Sequence, residues 1–445
     1  MNRPLPPNAS KPRWPTWLVF LLTSLLVSSQ NTLALVGLPV LAERNPISPT
    51  QLGFLLGVFP FAHALASILI GPLSDLICRR RLMLAGQLIL ASSLSLHVFA
   101  IDPSTLLGLR CLAGLGSGIL VSLPVPYLTS QYDSASQGKV LNRAASGHSL
   151  GQSLGIPLGI LCLGSIDFLQ LNSLCGLLAW FLFLLQLKYL PPSRPNDGPD
   201  RTRLSRQEYA TVARSTFRNT NFNLIVLVSF LGFAATAMFY ATTTLWLIHH
   251  FVWSPFEIAP LYLVGGLTQF AVMILFAPKG CVERPIFNVA TSLLMNGLIL
   301  LLWSFFMENA WTAMATFGLA LGSIAFRIAP TQFLVASVGH PRAKGFRMGL
   351  NQSAQSLGRA LGIFSGSALF FVIEPRLLIL ASATLLIGSA SLLFIKNSFW
   401  MNHSDSPRIA PRLLETKNGI GTRSAELKMS RKQPTRGATN AECKL

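Results

Sequence analysis

Twelve stretches of roughly twenty mostly apolar residues dominate the chain and leave it one setting in which to fold. They run over 17–41, 51–73, 82–101, 104–129, 139–164 and 166–189, then over 222–250, 256–277, 286–306, 310–336, 346–372 and 377–398. A run of this length is what a helix needs to cross the hydrocarbon of a bilayer. In lipid every backbone N–H and C=O must find a partner within the segment, so each run is read as an α-helix. The expected fold is an all-α membrane protein of twelve transmembrane helices in two six-helix bundles, at 17–190 and 222–398. A polar linker at 191–221 joins them, with a short tail at 1–16 and a basic one at 399–445 that reads as disordered. Only 11% of residues are charged, against about a quarter in soluble domains.

The formal charge of +19 would ordinarily raise nucleic acid as a partner. The placement of the charge gives a different explanation. With the N-terminus inside, thirty of the thirty-five Lys and Arg residues fall on the cytoplasmic side, two (Arg44 and Arg376) fall outside, and three (Arg110, Arg327, Arg359) lie within spans. That asymmetry is the positive-inside rule, and it leaves no basic surface over for a nucleic acid. The reading is a multi-pass protein of a bacterial inner membrane or a plasma membrane, with both termini cytoplasmic. The first apolar run is too long for a signal peptide and has no small-residue cleavage site, so it is read as a retained span. Six cysteines without CxxC spacing indicate no metal site or disulfide framework. No phosphate-binding Gly-x-x-x-x-Gly-Lys-Ser/Thr and no catalytic constellation is present, so neither an enzyme, nor ATP-driven pumping, nor a cofactor is expected.

The two halves repeat one another. Gln152-Ser-Leu-Gly-Ile-Pro-Leu-Gly-Ile160 in the fifth span matches Gln355-Ser-Leu-Gly-Arg-Ala-Leu-Gly-Ile363 in the eleventh at seven of nine positions. Leu115-Gly116-Ser117 and Pro124 in the fourth span match Leu321-Gly322-Ser323 and Pro330 in the tenth, at nearly the same offset. Parallel halves related by an axis along the membrane normal are one architecture of secondary transporters, with the substrate path between them.

Between spans two and three stands Gly71-Pro-Leu-Ser-Asp75-Leu-Ile-Cys-Arg79-Arg80-Arg81. It resembles the loop motif of the major facilitator superfamily, Gly-x-Leu-x-Asp followed by a basic cluster, and the resemblance extends over 17–398. It departs from that motif at Leu76, where a basic residue is common, and at Cys78, where Gly is common. The resemblance implies that Gly71 admits a close helix approach and that Asp75 pairs with basic groups across the cytoplasmic face, latching one conformation. Arg110 with Gly114, Gly116 and Gly118 is similar to the family's span-four motif, which implies a part in proton exchange. An arginine so near the span's end can equally snorkel to the outer surface, and both readings stand at this point. Gly147, Gly151, Gly155 and Gly159, with Pro157, form a small-residue face in span five that resembles the family's antiporter motif, although Ile156 separates Gly155 from the proline. Gly358 and Gly362 repeat the packing face in span eleven.

Ionisable groups within a membrane are functional candidates by default. All sixteen acids fall in loops, tails or span ends, whereas Arg327 and Arg359 lie mid-span. Histidines 63, 97 and 148 fall in or near spans. Ser28, Ser29, Gln30, Asn31, Gln152, Gln269, Gln332, Asn351, Gln352 and Gln355 are the polar side chains available to line a cavity, or to bond between helices. The expectation is a monomeric secondary transporter in the lipid bilayer, moving a small organic compound by alternating access. Proton-coupled efflux of a drug or metabolite is the first reading. Uptake or exchange of an organic anion through Arg327 and Arg359 is the alternative, because no acid is available to meet a cation.

Overall fold

The structure, a computed structural model, describes residues 16–402 apart from 45–46, 101, 133, 164, 192–205, 250–251, 276–284, 307–309, 339–343 and 371. Residues 1–15 and 403–445 of the two tails lie outside the described residues, as do 192–205 of the linker, whose remainder holds a helix over Arg206–Arg218. The helices in chain order are α1 (Thr16–Arg44), α2 (Pro49–Leu76), α3 (Arg79–Ser95), α4 (Pro103–Ser122), α5 (Pro124–Gln131), α6 (Ser134–Leu163), α7 (Phe168–Tyr189), α8 (Arg206–Arg218), α9 (Thr220–His249), α10 (Pro255–Leu275), α11 (Pro285–Phe306), α12 (Ala310–Ser337), α13 (Lys344–Leu369) and α14 (Pro375–Asn402).

Each of the twelve apolar runs coincides with helix. Polar residues set the starts. Ser48 and Gln51 form a reciprocal capping box at α2, and Asp167 with Gln170 forms another at α7. Asp102 caps α4, accepting from the Thr105 backbone N–H at 2.9 Å. Hydrogen bonds from Ser104 and Thr105 hold its carboxyl below the ordinary carboxylate range. One span differs from its sequence reading. The fourth breaks at Leu123 into α4 and α5, while its repeat partner α12 continues unbroken through Pro330. Pro124 and Pro126 remove two N–H donors within one turn, whereas α12 loses only one at Pro330.

Ten of the described helices are long and apolar enough to cross a membrane on composition alone. The remaining two spans, α6 and α13, are the pair that share the Gln-Ser-Leu-Gly pattern. Their glycine, serine and glutamine content lowers their hydropathy, and the structure turns these residues inward. In α13, Gly349, Asn351, Gln352, Ser353, Gln355, Ser356 and Gly358 are all buried.

Helix pairing repeats between the halves. In the first half α1 packs on α6 and α7, α2 on α4, and α3 on α4 and α7. In the second half α9 packs on α13 and α14, α10 on α12, and α11 on α12 and α14. The halves meet through α2 on α13 and through α6 on α10. Exchanging equivalent helices turns one of these contacts into the other, as an axis along the membrane normal requires.

The glycine faces make the closest of these approaches. Cβ atoms built on Gly147, Gly151 and Gly155 would overlap the α1 backbone at Leu21, Leu25 and Ser29, one turn apart. On Gly358, Gly362 and Gly366 they would meet α9 at Phe230, Ala234 and Met238. Small residues at this spacing let the two backbones touch, which is how helices associate where lipid is as apolar as leucine. Overpacking an ordinary core costs about 1–3 kcal/mol, and more where the obstructing atoms are backbone that cannot yield. Gly151→Leu is therefore expected to lose the folded protein. A detergent-solubilised sample checked by size exclusion and thermal melting should show aggregation, and a normal melting profile would contradict the packing account.

The basic cluster finishes several helix ends. Arg80 Nη2 donates to the Leu187 carbonyl at 2.7 Å in the last turn of α7. Arg79 donates to the Ser74 carbonyl at 3.3 Å and the Pro126 carbonyl at 2.9 Å. Arg347 is fully buried and donates to the Val335 and Ala336 carbonyls at 3.2 and 3.1 Å, closing α12. Cations at helix C-termini satisfy orphan carbonyls and meet the negative end of the dipole.

Candidate functional site: a cavity between the halves

A cavity of about 940 Å³ lies between the two bundles. Its wall draws on α1, α2, α4, α5, α6, α9, α10, α12 and α13. Most of it is apolar, with polar side chains collected into a band: Asn31, His148, Gln152, Gln269, Gln332, Gln352, Gln355 and Arg359. Tyr240 and Tyr262 add an aromatic wall, with ring centroids 6.3 Å apart and Phe317 5.0 Å from Tyr262. The Tyr262 hydroxyl bonds to Thr244. Aromatic rings of this kind present an apolar body and a polar tip to a ligand.

The cavity is closed toward the end that carries Arg79, Arg80 and Arg81. There Gly71 faces α13, where a Cβ would lie 2.9 Å from the Gly345 carbonyl oxygen. A Cβ on Gly349 would lie 2.5 Å from the Ser67 carbonyl oxygen and 2.7 Å from the Gly71 Cα. Phe217 of α8 packs edge-on against Phe346 at the same end, centroids 5.7 Å apart. Between α6 and α10, the Ser149 hydroxyl reaches Met273 Sδ at 3.2 Å. At the opposite ends of the helices, Ala42, Ile47, Leu52, Gly53, Leu245, Ser367 and Ala368 line the cavity, so it opens away from the basic face.

His63 joins the halves near their middle. Its Nδ1 lies 2.9 Å from Ser117 Oγ, and that hydroxyl donates to the Gly114 carbonyl at 2.9 Å. The network thus assigns the proton to Nδ1 and leaves Nε2 to accept from the Gln352 amide of α13 at 3.5 Å. His97 bonds to the Ser93 carbonyl within its own turn.

Of the polar residues named from sequence, Asn31, Gln152, Gln269, Gln332, Gln352, Gln355 and Arg359 come together on the cavity wall. Five do not, which corrects the sequence reading. Ser28 is buried, and Ser29 donates to the Leu26 carbonyl at 3.1 Å in its own helix. Gln30 is buried within the first half and donates to Asn172 Oδ1 at 3.3 Å. Asn351 is buried among neighbouring helices, away from the lining. Arg327 sits one layer behind the wall, its Nη2 bonded to Thr236 Oγ1 at 2.8 Å and the Gly232 carbonyl at 3.2 Å. Thr236 and Phe233 stand between it and the cavity. Arg359 does reach the cavity, with its guanidinium 4.8 Å from the centroid of the Phe233 ring.

Arg110 does not snorkel. It is 1% exposed, donates from Nε to the Leu55 carbonyl at 2.8 Å and lies over Phe59 at 5.5 Å. The side chain of Asp75 lies outside the described residues, so its cross-face pairing stays an expectation.

The sequence reading passed over the tyrosine wall and the buried Arg347. Tyr240 and Tyr262 could have been found as polar-tipped aromatics within otherwise apolar runs. Arg347 could not, because a basic residue at a cytoplasmic span end satisfies the charge rule whether or not it is buried.

Residues 20–363 match the family profile described as Major Facilitator Superfamily. A stretch of 189 residues, 42% of this chain, is 29% identical to the "Multidrug efflux pump LfrA" of Mycolicibacterium smegmatis and spans 37% of that protein. Another of 144 residues, 31% of this chain, is 31% identical to the "Enterobactin exporter EntS" of Shigella flexneri and spans 35% of it. These matches thus reach little more than a third of either relative's length. Among solved structures, that of the human organic anion transporter MFSD10 (TETRAN) superposes with a TM-score of 0.69. It is 20% identical, and the superposition covers 85% of this chain and 98% of that one, a likeness of fold. Twelve helices paired alike in two halves, a cavity between them and the loop motif at Gly71 agree with the profile: the chain belongs to the major facilitator superfamily.

Proposed function

We propose that this chain exports a small amphipathic organic compound bearing an anionic group, by alternating access of the central cavity and in exchange for protons. The observation that carries the reading is Arg359, the one charged side chain among the described lining residues, in a wall without a carboxylate. A desolvated guanidinium is unfavourable unless a partner shares its site, and a substrate carboxylate supplies a charge-assisted, bidentate partner. The glutamines supply neutral donors and acceptors for orientation, and the tyrosine wall takes an apolar or aromatic body.

The basic end, read as cytoplasmic by the positive-inside rule, is the closed one, so the conformation is outward-open. That is the state from which an exporter releases its cargo. Export as the direction is supported by the two curated relatives, named as an efflux pump and an exporter. Coupling to protons needs a titratable group that the cavity reaches. His148 is on the wall, and Arg359 acts on it electrostatically, so a substrate anion at Arg359 changes the field that His148 feels.

Inverted vesicles test the reading. With a preformed pH gradient, acid inside, adding a fluorescent aromatic carboxylate that the protein carries should dissipate the gradient and accumulate the dye. A protonophore should abolish the accumulation. Accumulation that persists undiminished under the protonophore would contradict proton coupling and leave the carrier reading to stand on its own.

A further inference from the structure

Behind the cavity wall, inside the second half, lies a second, smaller chamber of about 20 Å³. Ser229, Gly232, Phe233, Arg327, Thr331 and Gln355 supply its polar and close-packed lining, with aliphatic side chains around the remainder. About 10–15 Å³ suffices for one water-sized sphere, so the chamber has room for one small ion or water and for nothing organic.

Its electrostatics are out of balance. Arginine stays cationic in proteins, and Arg327 is only 4% exposed. Its Nη2 has the two acceptors already described and one face lies over Phe233 at 5.6 Å, but its Nη1 is buried without a hydrogen-bond partner. The Ser229 hydroxyl, also on the chamber wall and 7% exposed, is buried without a partner as well. No carboxylate reaches Arg327 among the described residues. Arg359 adds a second positive charge against the same phenylalanine, 4.8 Å from the ring centroid. Gly232 makes the room: a Cβ there would lie 3.7 Å from Arg327 Nη1. Buried charges are otherwise paired.

We propose that this chamber is a binding site for a single small inorganic anion of the chloride class, held by Arg327 Nη1 and the Ser229 hydroxyl. The ion supplies the missing counter-charge and relieves the repulsion between the two arginines. Thr331 and Gln355 offer further donors. Gln355 lines both the chamber and the substrate cavity, which gives the ion a route to influence the wall without sharing the cargo's site. The site stands independently of what the cavity carries.

The test uses the full-length protein purified without halide, in sodium gluconate. Ligand that binds only the folded state raises Tm with its concentration. Sodium chloride and sodium bromide should each raise Tm in a saturating manner, while gluconate at the same ionic strength should not. Gly232→Ala places a methyl in the chamber against the end of Leu293 (3.2 Å) and should fold yet lose the halide response. Arg327→Gln should lose it too, and Arg359→Gln should keep it. Crystals grown in bromide should show an anomalous peak beside Arg327 Nη1. A wild-type Tm indifferent to halide, or an undiminished response in Gly232→Ala, would mean that the chamber holds water only and would overturn the proposal. Loss of the response in Arg359→Gln alone would overturn it as well, by placing the halide in the main cavity.

Discussion

Gly349→Leu is expected to reduce transport by a hundredfold or more while leaving both six-helix bundles folded. The obstruction falls between the halves rather than within one. A Cβ at Gly349 already lies 2.5 Å from the Ser67 carbonyl oxygen and 2.7 Å from the Gly71 Cα, and leucine adds an isobutyl group beyond it. Both obstacles are backbone, so no side chain can rotate away. Each bundle keeps its own pairings, and the overlap is relieved by parting α2 from α13 at the basic end. A penalty of about 3 kcal/mol on the closed state depopulates it roughly a hundredfold, and a backbone overlap of this kind exceeds the usual overpacking cost. The proposed alternating-access cycle passes through the closed state once per turn, so turnover should fall in proportion. The check is transport rate together with the reactivity of a cysteine placed at Gln352, in a background without other reactive thiols, toward a membrane-impermeant reagent. Reagent supplied from the basic side should modify Gly349→Leu faster than the parent. Gly71→Leu should behave alike, from the other side of the same contact. Normal transport in either variant would mean that the α2–α13 contact takes no part in the cycle.

The second large effect concerns Arg359. Replacing it with glutamine removes a charge-assisted hydrogen bond worth about 1.5–3 kcal/mol, which corresponds to about a ten- to hundredfold rise in KM for an anionic substrate. A neutral analogue of the same shape should show little change. Arg359→Lys should restore only part of the loss, since an ammonium keeps the charge but lacks the planar fork that stacks on Phe233 and clasps a carboxylate. A purely structural arginine would show a different pattern, with equal losses for charged and neutral compounds and a lowered Tm.

Why one arginine serves the cavity and another does not was not legible in the sequence. Arg327 and Arg359 both stand mid-span among small and apolar residues, and hydropathy treats them alike. Their separation comes from helix rotation: α12 turns Arg327 toward α9 within its own bundle, and α13 turns Arg359 past Phe233 to the cavity wall. Gln30 and Asn31 show the same limit at closer range. One step along a helix rotates a side chain by about 100°, which sends Gln30 to Asn172 and Asn31 to the cavity. The spans and the internal repeat were legible because each rests on many residues at once. Lipid length sets the runs, and the Gln-Ser-Leu-Gly pair is pinned by glycine faces that must touch α1 and α9. The break at Pro124 and the burial of Arg347 depend on single contacts, and single contacts are what periodicity averages away.

The central claim is that the cavity selects its cargo by charge at Arg359. It is tested most directly in proteoliposomes with two fluorescent substrates that differ only in an aromatic carboxylate against its carboxamide. In the wild type the carboxylate should be exported with the lower KM, and in Arg359→Gln the two compounds should become equivalent, with the carboxamide's KM unchanged. Equal KM values for the two compounds in the wild type, or an unaltered preference in Arg359→Gln, would contradict it.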